Sequence, residues 1–147
     1  MQGMKRLSFR FRALSSALKD QERATTIPLD RPMSSEERAI AEWLLRHSHE
    51  SAISFLPQLD NARVSGQCSC GCPTVDLRVA EGTPRAESQE NPIGDALGEV
   101  DGNMVGVMLL QSGGYLNCLE VYDLSDIQHP YGLPELKSLR PFEAGST

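Results

Sequence analysis

The sequence predicts an α+β protein, with N-terminal helices packed on an antiparallel sheet of about five strands. Three observations lead to this prediction. A capping box begins an amphipathic helix early in the chain. An alternating strand pattern follows a cluster of cysteines. Asp101-Gly102 and Gly113-Gly114 then separate three strand-like segments as hairpin turns do. The sheet is therefore predicted as a hairpin followed by a three-stranded meander.

The length and composition are those of one globular domain. The chain has 147 residues, of which 39% are hydrophobic and 23% charged. That size is sufficient for a core without disulfides or metal. We predict a disordered basic leader over residues 1–29, a single domain over residues 30–143 and a short tail over residues 144–147.

The charge is unevenly distributed. Residues 1–19 contain no acidic residue and five basic ones, Lys5, Arg6, Arg10, Arg12 and Lys19, whereas the whole chain carries −6. The remainder is therefore −11, which argues against nucleic-acid binding. The leader lacks the apolar core of a secretory signal. A transit-type leader remains compositionally possible, as does a tail that precedes a true start at Met4 or Met33. We favour the tail.

The first predicted elements are helical. Residues 25–32 contain two prolines and are predicted as an extended lead-in. Ser34 and Glu37 form the capping box, and the apolar spacing that follows predicts a helix to about residue 48. A second short helix is predicted over residues 49–56, ended by Pro57.

The remaining pattern predicts strands. We expect the hairpin strands over residues 62–67 and 74–80, a surface loop over 81–94, and meander strands over 95–100, 103–111 and 115–122. No apolar segment approaches the roughly 18 residues that a membrane span requires. Cysteines in a chain without a secretory signal indicate a reducing compartment, so we predict a cytoplasmic protein that binds no membrane.

The cysteine cluster is the one site-like feature. Cys68, Cys70 and Cys72 are candidate zinc ligands, with Cys118 as the fourth or, alternatively, one of the histidines His47, His49 and His129. On an extended backbone, the spacing of the three cysteines would spread their sulfurs over roughly 13 Å. Only a tight turn at Gly71 would bring them together. We therefore favour packing or loop cysteines over a metal site, and a metal site over a reactive thiol pair.

No catalytic constellation accompanies the cysteines. Cys118 lies in a predicted strand and is interpreted as a small packing residue. Asp76 and Glu120 are polar positions of alternating strands, for which a solvated face is sufficient explanation. No serine–histidine or cysteine–histidine arrangement stands out, so we predict a protein that is not an enzyme and has no cofactor other than a possible zinc ion.

Two segments resemble a group of short uncharacterised bacterial proteins. The first is Cys-Gly-Cys-Pro-Thr-Val-Asp-Leu over residues 70–77, and the second is the hairpin that ends in Leu-Glu-Val-Tyr at residues 119–122. The resemblance covers roughly residues 31–142. The group has no assigned activity, so the resemblance supplies no catalytic residues. The hairpin is also similar to that of small α+β immunity proteins, which implies an acidic protein with a basic partner.

The predicted function is protein binding. The leading hypothesis is a small acidic, non-catalytic interaction module, of the immunity type, that binds a basic protein through a strand edge or the loop 81–94. The alternative is a metal-binding or thiol-reactive protein centred on Cys68, Cys70 and Cys72.

Overall fold

The structure, a computed structural model that describes residues 26–142, is organised around a seven-stranded antiparallel sheet. The strands in chain order are β1 (Thr26–Pro32), β2 (Ala62–Cys68), β3 (Val75–Val79), β4 (Gly94–Val100), β5 (Asn103–Ser112), β6 (Tyr115–Asp123) and β7 (Arg140–Pro141). Their order across the sheet is β1-β2-β3-β6-β5-β4-β7. The α+β class is confirmed, but the prediction of about five strands is wrong.

The two additional strands are the edges of the sheet. β1 pairs with β2 and has a register shift between Pro28 and Arg31. Its prolines exclude a helix but are tolerated in an edge strand, whose outer side needs no ladder hydrogen bonds. β7 has only two residues, too few to show any alternation.

β1 also changes the predicted order of elements. Because a strand precedes the first helix, the helices do not form the N-terminal part of the domain. Residues 26–29, which we predicted as the end of the leader, belong to β1. The rest of the leader lies outside the described residues, as does the predicted tail.

The helix α1 (Ser35–Arg46) begins at the predicted capping box. The backbone N–H of Glu37 donates to Ser34 Oγ at 3.0 Å, and the backbone N–H of Ser34 donates to Glu37 Oε1 at 2.8 Å. These two bonds satisfy donors that have no partner within the helix. The predicted beginning is therefore confirmed, and the helix ends two residues earlier than expected.

The second predicted helix is a 3₁₀ helix, Glu50–Asn61, and it continues past Pro57. Proline interrupts the hydrogen-bond ladder of an α-helix, but short 3₁₀ turns do not depend on a continuous ladder. A second 3₁₀ helix, Leu136–Ser138, lies between β6 and β7. In the part of the chain that the structure describes, no helix is long and apolar enough to cross a membrane.

The core lies between the helical segments and one face of the sheet. α1 contacts β4 and β5, and the first 3₁₀ helix contacts β6. The largest fully buried apolar side chains of this layer are Phe55, Ile40, Leu44, Leu45, Ile93, Leu109, Leu116, Leu119, Val64, Val105 and Val107. Alternate residues of β5 supply the sheet side, as the period of a strand requires.

Both tight turns of the meander lie where the sequence predicts them. Asp101 and Gly102 have φ of 50° and 82°, and Gly113 and Gly114 have φ of 62° and 92°. Two consecutive positive φ values are the signature of the type I′ turn, whose twist matches that of the strands it joins. The register of the β4–β5 pair follows directly, with Val100 opposite Asn103.

Candidate metal centre

The cysteine cluster occupies the turn between β2 and β3. These strands form an antiparallel hairpin, and the backbone N–H of Cys68 donates to the carbonyl of Thr74 at 3.3 Å where the strands separate. Between them, Gly71 has φ of 101°. A residue with a side chain rarely adopts that conformation, so the glycine permits the chain to reverse inside the cluster.

The reversal brings the three sulfurs together. The Sγ atoms of Cys68, Cys70 and Cys72 all lie within 4.8 Å of one another, and those of Cys68 and Cys70 are 2.8 Å apart. The backbone N–H groups of Cys70 and Cys72 also point at the preceding cysteine's sulfur, at 3.4 Å and 3.3 Å. The tight turn at Gly71, predicted from the sequence as the one way to bring the sulfurs together, is present, so the spread of roughly 13 Å for an extended backbone does not apply.

The cluster faces solvent on one side. Cys70 is exposed, Cys68 and Cys72 are half-buried, and none of the three is in a disulfide. Among residues 26–142, no histidine, aspartate, glutamate or further cysteine joins this group within the same spacing. The arrangement offers three thiol ligands and leaves a fourth direction accessible from outside.

A second loop packs against the cysteine turn. The backbone N–H of Tyr131 donates to the Gly71 carbonyl at 3.0 Å. A Cβ atom added at Gly71 would lie 3.1 Å from Cα of Pro130, so the two loops are in close contact. The His129 ring meets the Tyr131 ring edge-on, with centroids 5.0 Å apart. Gly71 is thus required both by its φ and by the space that Pro130 occupies.

The electrostatics of Tyr131 reflect the neighbouring thiols. Burial, reinforced by the charges of Cys72 and Asp123 and then of Cys70 and Cys68, raises the pKa of Tyr131 to about 12. The phenol therefore keeps its proton at neutral pH and remains a hydrogen-bond donor beside the cluster.

Asp123 holds the beginning of the loop that carries Tyr131. Its carboxylate accepts from the backbone N–H groups of Ser125 at 2.9 Å and Ile127 at 3.0 Å. The hydrogen bond from the Ser125 backbone has the largest effect on the pKa of Asp123, which it lowers. Desolvation acts to raise that pKa, but the backbone donors together outweigh it.

Thr74 connects the cysteine turn to the centre of the sheet. Its Oγ1 accepts from the backbone N–H of Val121 at 2.9 Å and donates to the Val121 carbonyl at 3.1 Å. β3 and β6 otherwise pair only at Val75–Leu119 and Asp76–Cys118. The threonine hydroxyl thus takes the place of a further backbone pair and fixes the turn relative to β6.

The other predicted ligands lie elsewhere. Cys118 is fully buried in β6, opposite Asp76 and Leu110, and is outside the group of converging sulfurs. His47 stacks on Trp43 with centroids 4.0 Å apart. His49 lies 3.9 Å from Glu90. His129 lies beside the cysteine turn, since a Cβ added at Gly71 would be 3.4 Å from His129 Cβ.

Sequence reasoning missed Tyr131 and Pro130 as neighbours of the cluster. The segment His129-Pro130-Tyr131-Gly132 is recognisable only as loop chemistry. It lies about sixty residues after the cysteines, and the sequence contains no signal for that contact.

Comparisons of the chain with protein-family models, with curated proteins and with solved structures find no match. The site is therefore interpreted from its own geometry, and the resemblance to the bacterial group stays a prediction.

Proposed function

We propose that this protein binds a soft metal ion through the thiolates of Cys68, Cys70 and Cys72. The observation that supports the proposal is the convergence of three sulfurs within 4.8 Å on a turn that requires glycine. Cys70 is exposed, so bringing its thiol close to the other two buries little apolar surface and packing does not account for its position. A shared cation explains the arrangement by giving all three sulfurs one partner.

The chemistry of the ligands selects the class of metal. Thiolates favour soft or borderline ions, of which Cu⁺ and Zn²⁺ are the common biological examples. Three thiolates are enough for a trigonal Cu⁺ site. Zn²⁺ prefers four ligands, so a zinc ion here would take water or an external donor on the accessible side. Both ions have the same three protein ligands, and the experiment below distinguishes them.

The test is metal titration of the full chain. Reduced protein is titrated with Zn²⁺ against a chromophoric zinc chelator, and separately with Cu⁺ against a copper-selective chelator. Native mass spectrometry then gives the stoichiometry. We expect one equivalent of metal in the wild type and none in the variant C68S/C70S/C72S. The matched control is Cys118→Ala, which removes the thiol outside the group and should bind as the wild type does.

Two outcomes would contradict the proposal. One is metal binding that persists in the triple serine variant. The other is wild-type protein that binds neither ion while all three thiols remain accessible to an alkylating reagent, which would favour the thiol-reactive alternative. Each chelator competition gives the affinity of the protein for one ion, and the ion that competes successfully with its chelator is the one the site binds.

The predicted interaction module remains a second candidate on the ground of charge. Residues 26–142 contain seventeen acidic and eight basic residues, for a net charge of −9. The two predicted binding elements are less suited to the role. The loop 81–94 is held by buried residues such as Ala86 and Ser88, and β1 carries prolines that impair strand addition. If a basic partner binds by charge, its affinity should fall steeply with salt.

A further inference from the structure

The sheet has a second face that lies away from the core. The helical segments contact the other face, which includes Val105, Val107 and Leu109 of β5. Side chains alternate along a strand, so the intervening residues of β5 and their cross-strand neighbours point the opposite way. We call this side the open face; its central residues are Leu97 of β4, Met108 and Leu110 of β5, and Glu120 and Tyr122 of β6.

The open face combines apolar and acidic groups. Leu97, Met108, Leu110 and Tyr122 are half-buried. The Tyr122 ring lies directly over Gly106, in space that any Cβ there would occupy. Burial, together with the charges of Asp95 and Glu120, raises the pKa of Tyr122, which places both carboxylates near the ring. An occupant of this face needs apolar side chains and positive charge.

Carboxylates extend across the whole face. The strand register places four carboxylates on this face: Asp76 on β3, Glu120 on β6, and Asp95 and Glu99 on β4. Arg140 of the edge strand β7 is opposite Leu97, and the other basic side chains of this face, Arg63 and Arg78, lie at the corner formed by β2 and β3. Arg63 and Arg78 are both near Asp30, at 2.8 Å and 3.7 Å. The field over the centre of the face is therefore acidic.

The described chain begins at the margin of this face. A Cβ added at Gly66 would lie 2.9 Å from the Thr26 methyl group and 3.2 Å from the Asp76 carboxylate, so these side chains share one side of the sheet. From β1 to β4 there are five inter-strand spacings, about 24 Å. The twenty-five residues before Thr26 span about 37 Å even at the rise of a helix. They are long enough to cross the face.

The composition of those residues matches the face. Residues 1–25 carry six basic residues against two acidic ones, and their large apolar residues are Leu7, Phe9, Phe11, Leu14 and Leu18. We propose that residues 1–25 bind the open face of their own chain, with the apolar side chains on Leu97, Met108, Leu110 and Tyr122 and the basic ones toward its carboxylates. The acidic surface is then the binding site of the leader rather than of a separate basic protein.

The lysines make the proposal testable by zero-length cross-linking of the full chain. The protein has three lysines, Lys5, Lys19 and Lys137. A carbodiimide joins a lysine amine to a carboxylate that it touches. We expect Lys5 or Lys19 to cross-link to Asp76, Asp95, Glu99 or Glu120. Lys137, whose Nζ lies 3.8 Å from Glu135, is the internal positive control.

Charge variants supply the matched comparison. The leader variant R10E/R12E should lose at least about four-fifths of these cross-links and should oxidise faster at Met108 under hydroxyl-radical footprinting. The control R46E/R85E makes the same charge change on exposed side chains outside the open face and should leave both measurements unchanged. Met33, which packs against the core, serves as the reference methionine.

Three results would overturn the proposal. The first is cross-linking of Lys5 and Lys19 to helix-side carboxylates such as Glu36 and Glu42 as often as to the open face. The second is cross-links found only between isotopically distinct copies in a mixed sample, which would assign the face to a second molecule. The third is unchanged Met108 oxidation in R10E/R12E, which would leave the face to a separate basic partner.

Discussion

The Glu37 carboxylate accepts three hydrogen bonds at the beginning of α1. Two parallel bonds come from the Arg31 guanidinium, at 2.9 Å and 2.8 Å, and one comes from the Ser34 backbone. Burial by itself acts to raise the pKa of Glu37, but the Arg31 and Ser34 donors together outweigh it and lower that pKa below its usual value of 4.5. One residue therefore links β1 to the helix cap.

Replacing Glu37 with Gln should reduce the acid sensitivity of the fold. A carboxyl group whose pKa is lowered on folding stabilises the native state above its unfolded pKa, and this stabilisation is lost as the pH falls through the folded pKa. We expect E37Q to lower the free energy of unfolding by about 1–2 kcal/mol at pH 7. Its stability should also change less than that of the wild type between about pH 5 and about pH 3.

Urea denaturation at several pH values measures this effect. The matched control is Glu36→Gln, because Glu36 is an exposed neighbour in the same helical turn. An E37Q variant whose unfolding free energy keeps the wild-type dependence on pH would contradict the assignment.

At Gly106, the Tyr122 side chain restricts which residue can be accommodated. Because the Tyr122 ring occupies the space above Gly106, Gly106→Ala must displace the ring. We expect a loss of about 1–3 kcal/mol in the free energy of unfolding. In the Tyr122→Ala background the same change should cost much less, and a double-mutant cycle measures the difference. Equal costs in both backgrounds would show that the ring is not the obstacle.

At the scale of elements, two buried glutamines hold the irregular segment between β3 and β4. Gln111 Nε2 donates to the carbonyls of Ser88 and Glu90 at 2.9 Å and 2.8 Å, and its Oε1 accepts from the Gly114 backbone at 2.8 Å. Gln58 Nε2 donates to the Pro84 carbonyl of this segment at 3.2 Å and to the Gly114 carbonyl at 2.8 Å. These amides satisfy backbone groups that lack a strand partner, which is how a long loop becomes part of a packed structure.

Gln111→Leu should release this segment while leaving the sheet paired. The substitution leaves buried backbone groups without partners, at about 1–3 kcal/mol for each. Because Arg85 lies in the segment beside buried Ala86, we expect tryptic cleavage after Arg85 to accelerate at least about tenfold. Gln89→Leu, at an exposed position of the same segment, is the control. Cleavage at the wild-type rate in Q111L would show that the glutamine does not hold the loop.

At the scale of the whole molecule, the proposed metal ion and the fold should stabilise each other. The cysteine turn lies between β2 and β3, is tied to β6 through Thr74 and is packed on the loop that carries Tyr131. Metal bound only in this arrangement adds to the free energy of unfolding by mass action, about 2.7 kcal/mol at a hundredfold excess over Kd.

We therefore expect Zn²⁺ or Cu⁺ to raise the Tm of the wild type, and a chelator to reverse the shift. The metal-induced shift should vanish in C68S/C70S/C72S and persist in Cys118→Ala, whatever the Tm of each apo variant. Scanning calorimetry of paired samples gives the comparison. A triple serine variant whose Tm responds to metal as the wild type does would place the binding elsewhere.

The sequence by itself determined the elements whose signals are local. The capping box at Ser34 and Glu37 specified the beginning of α1, and Asp101-Gly102 specified a type I′ turn. Five strands were recognisable because alternation along a strand records which face is buried. The cysteines were recognisable as a candidate site from their number and closeness alone.

Only the tertiary structure decided what depends on distant contacts. β1 became a strand because β2 offered it a partner, and proline-rich residues carry no pattern of their own to predict that pairing. The three sulfurs converge because Gly71 reverses the chain against Pro130 and Tyr131, almost sixty residues away in sequence. A spacing argument treats the backbone as extended, whereas the direction of each side chain is set by the φ of one glycine and by the loop packed against it.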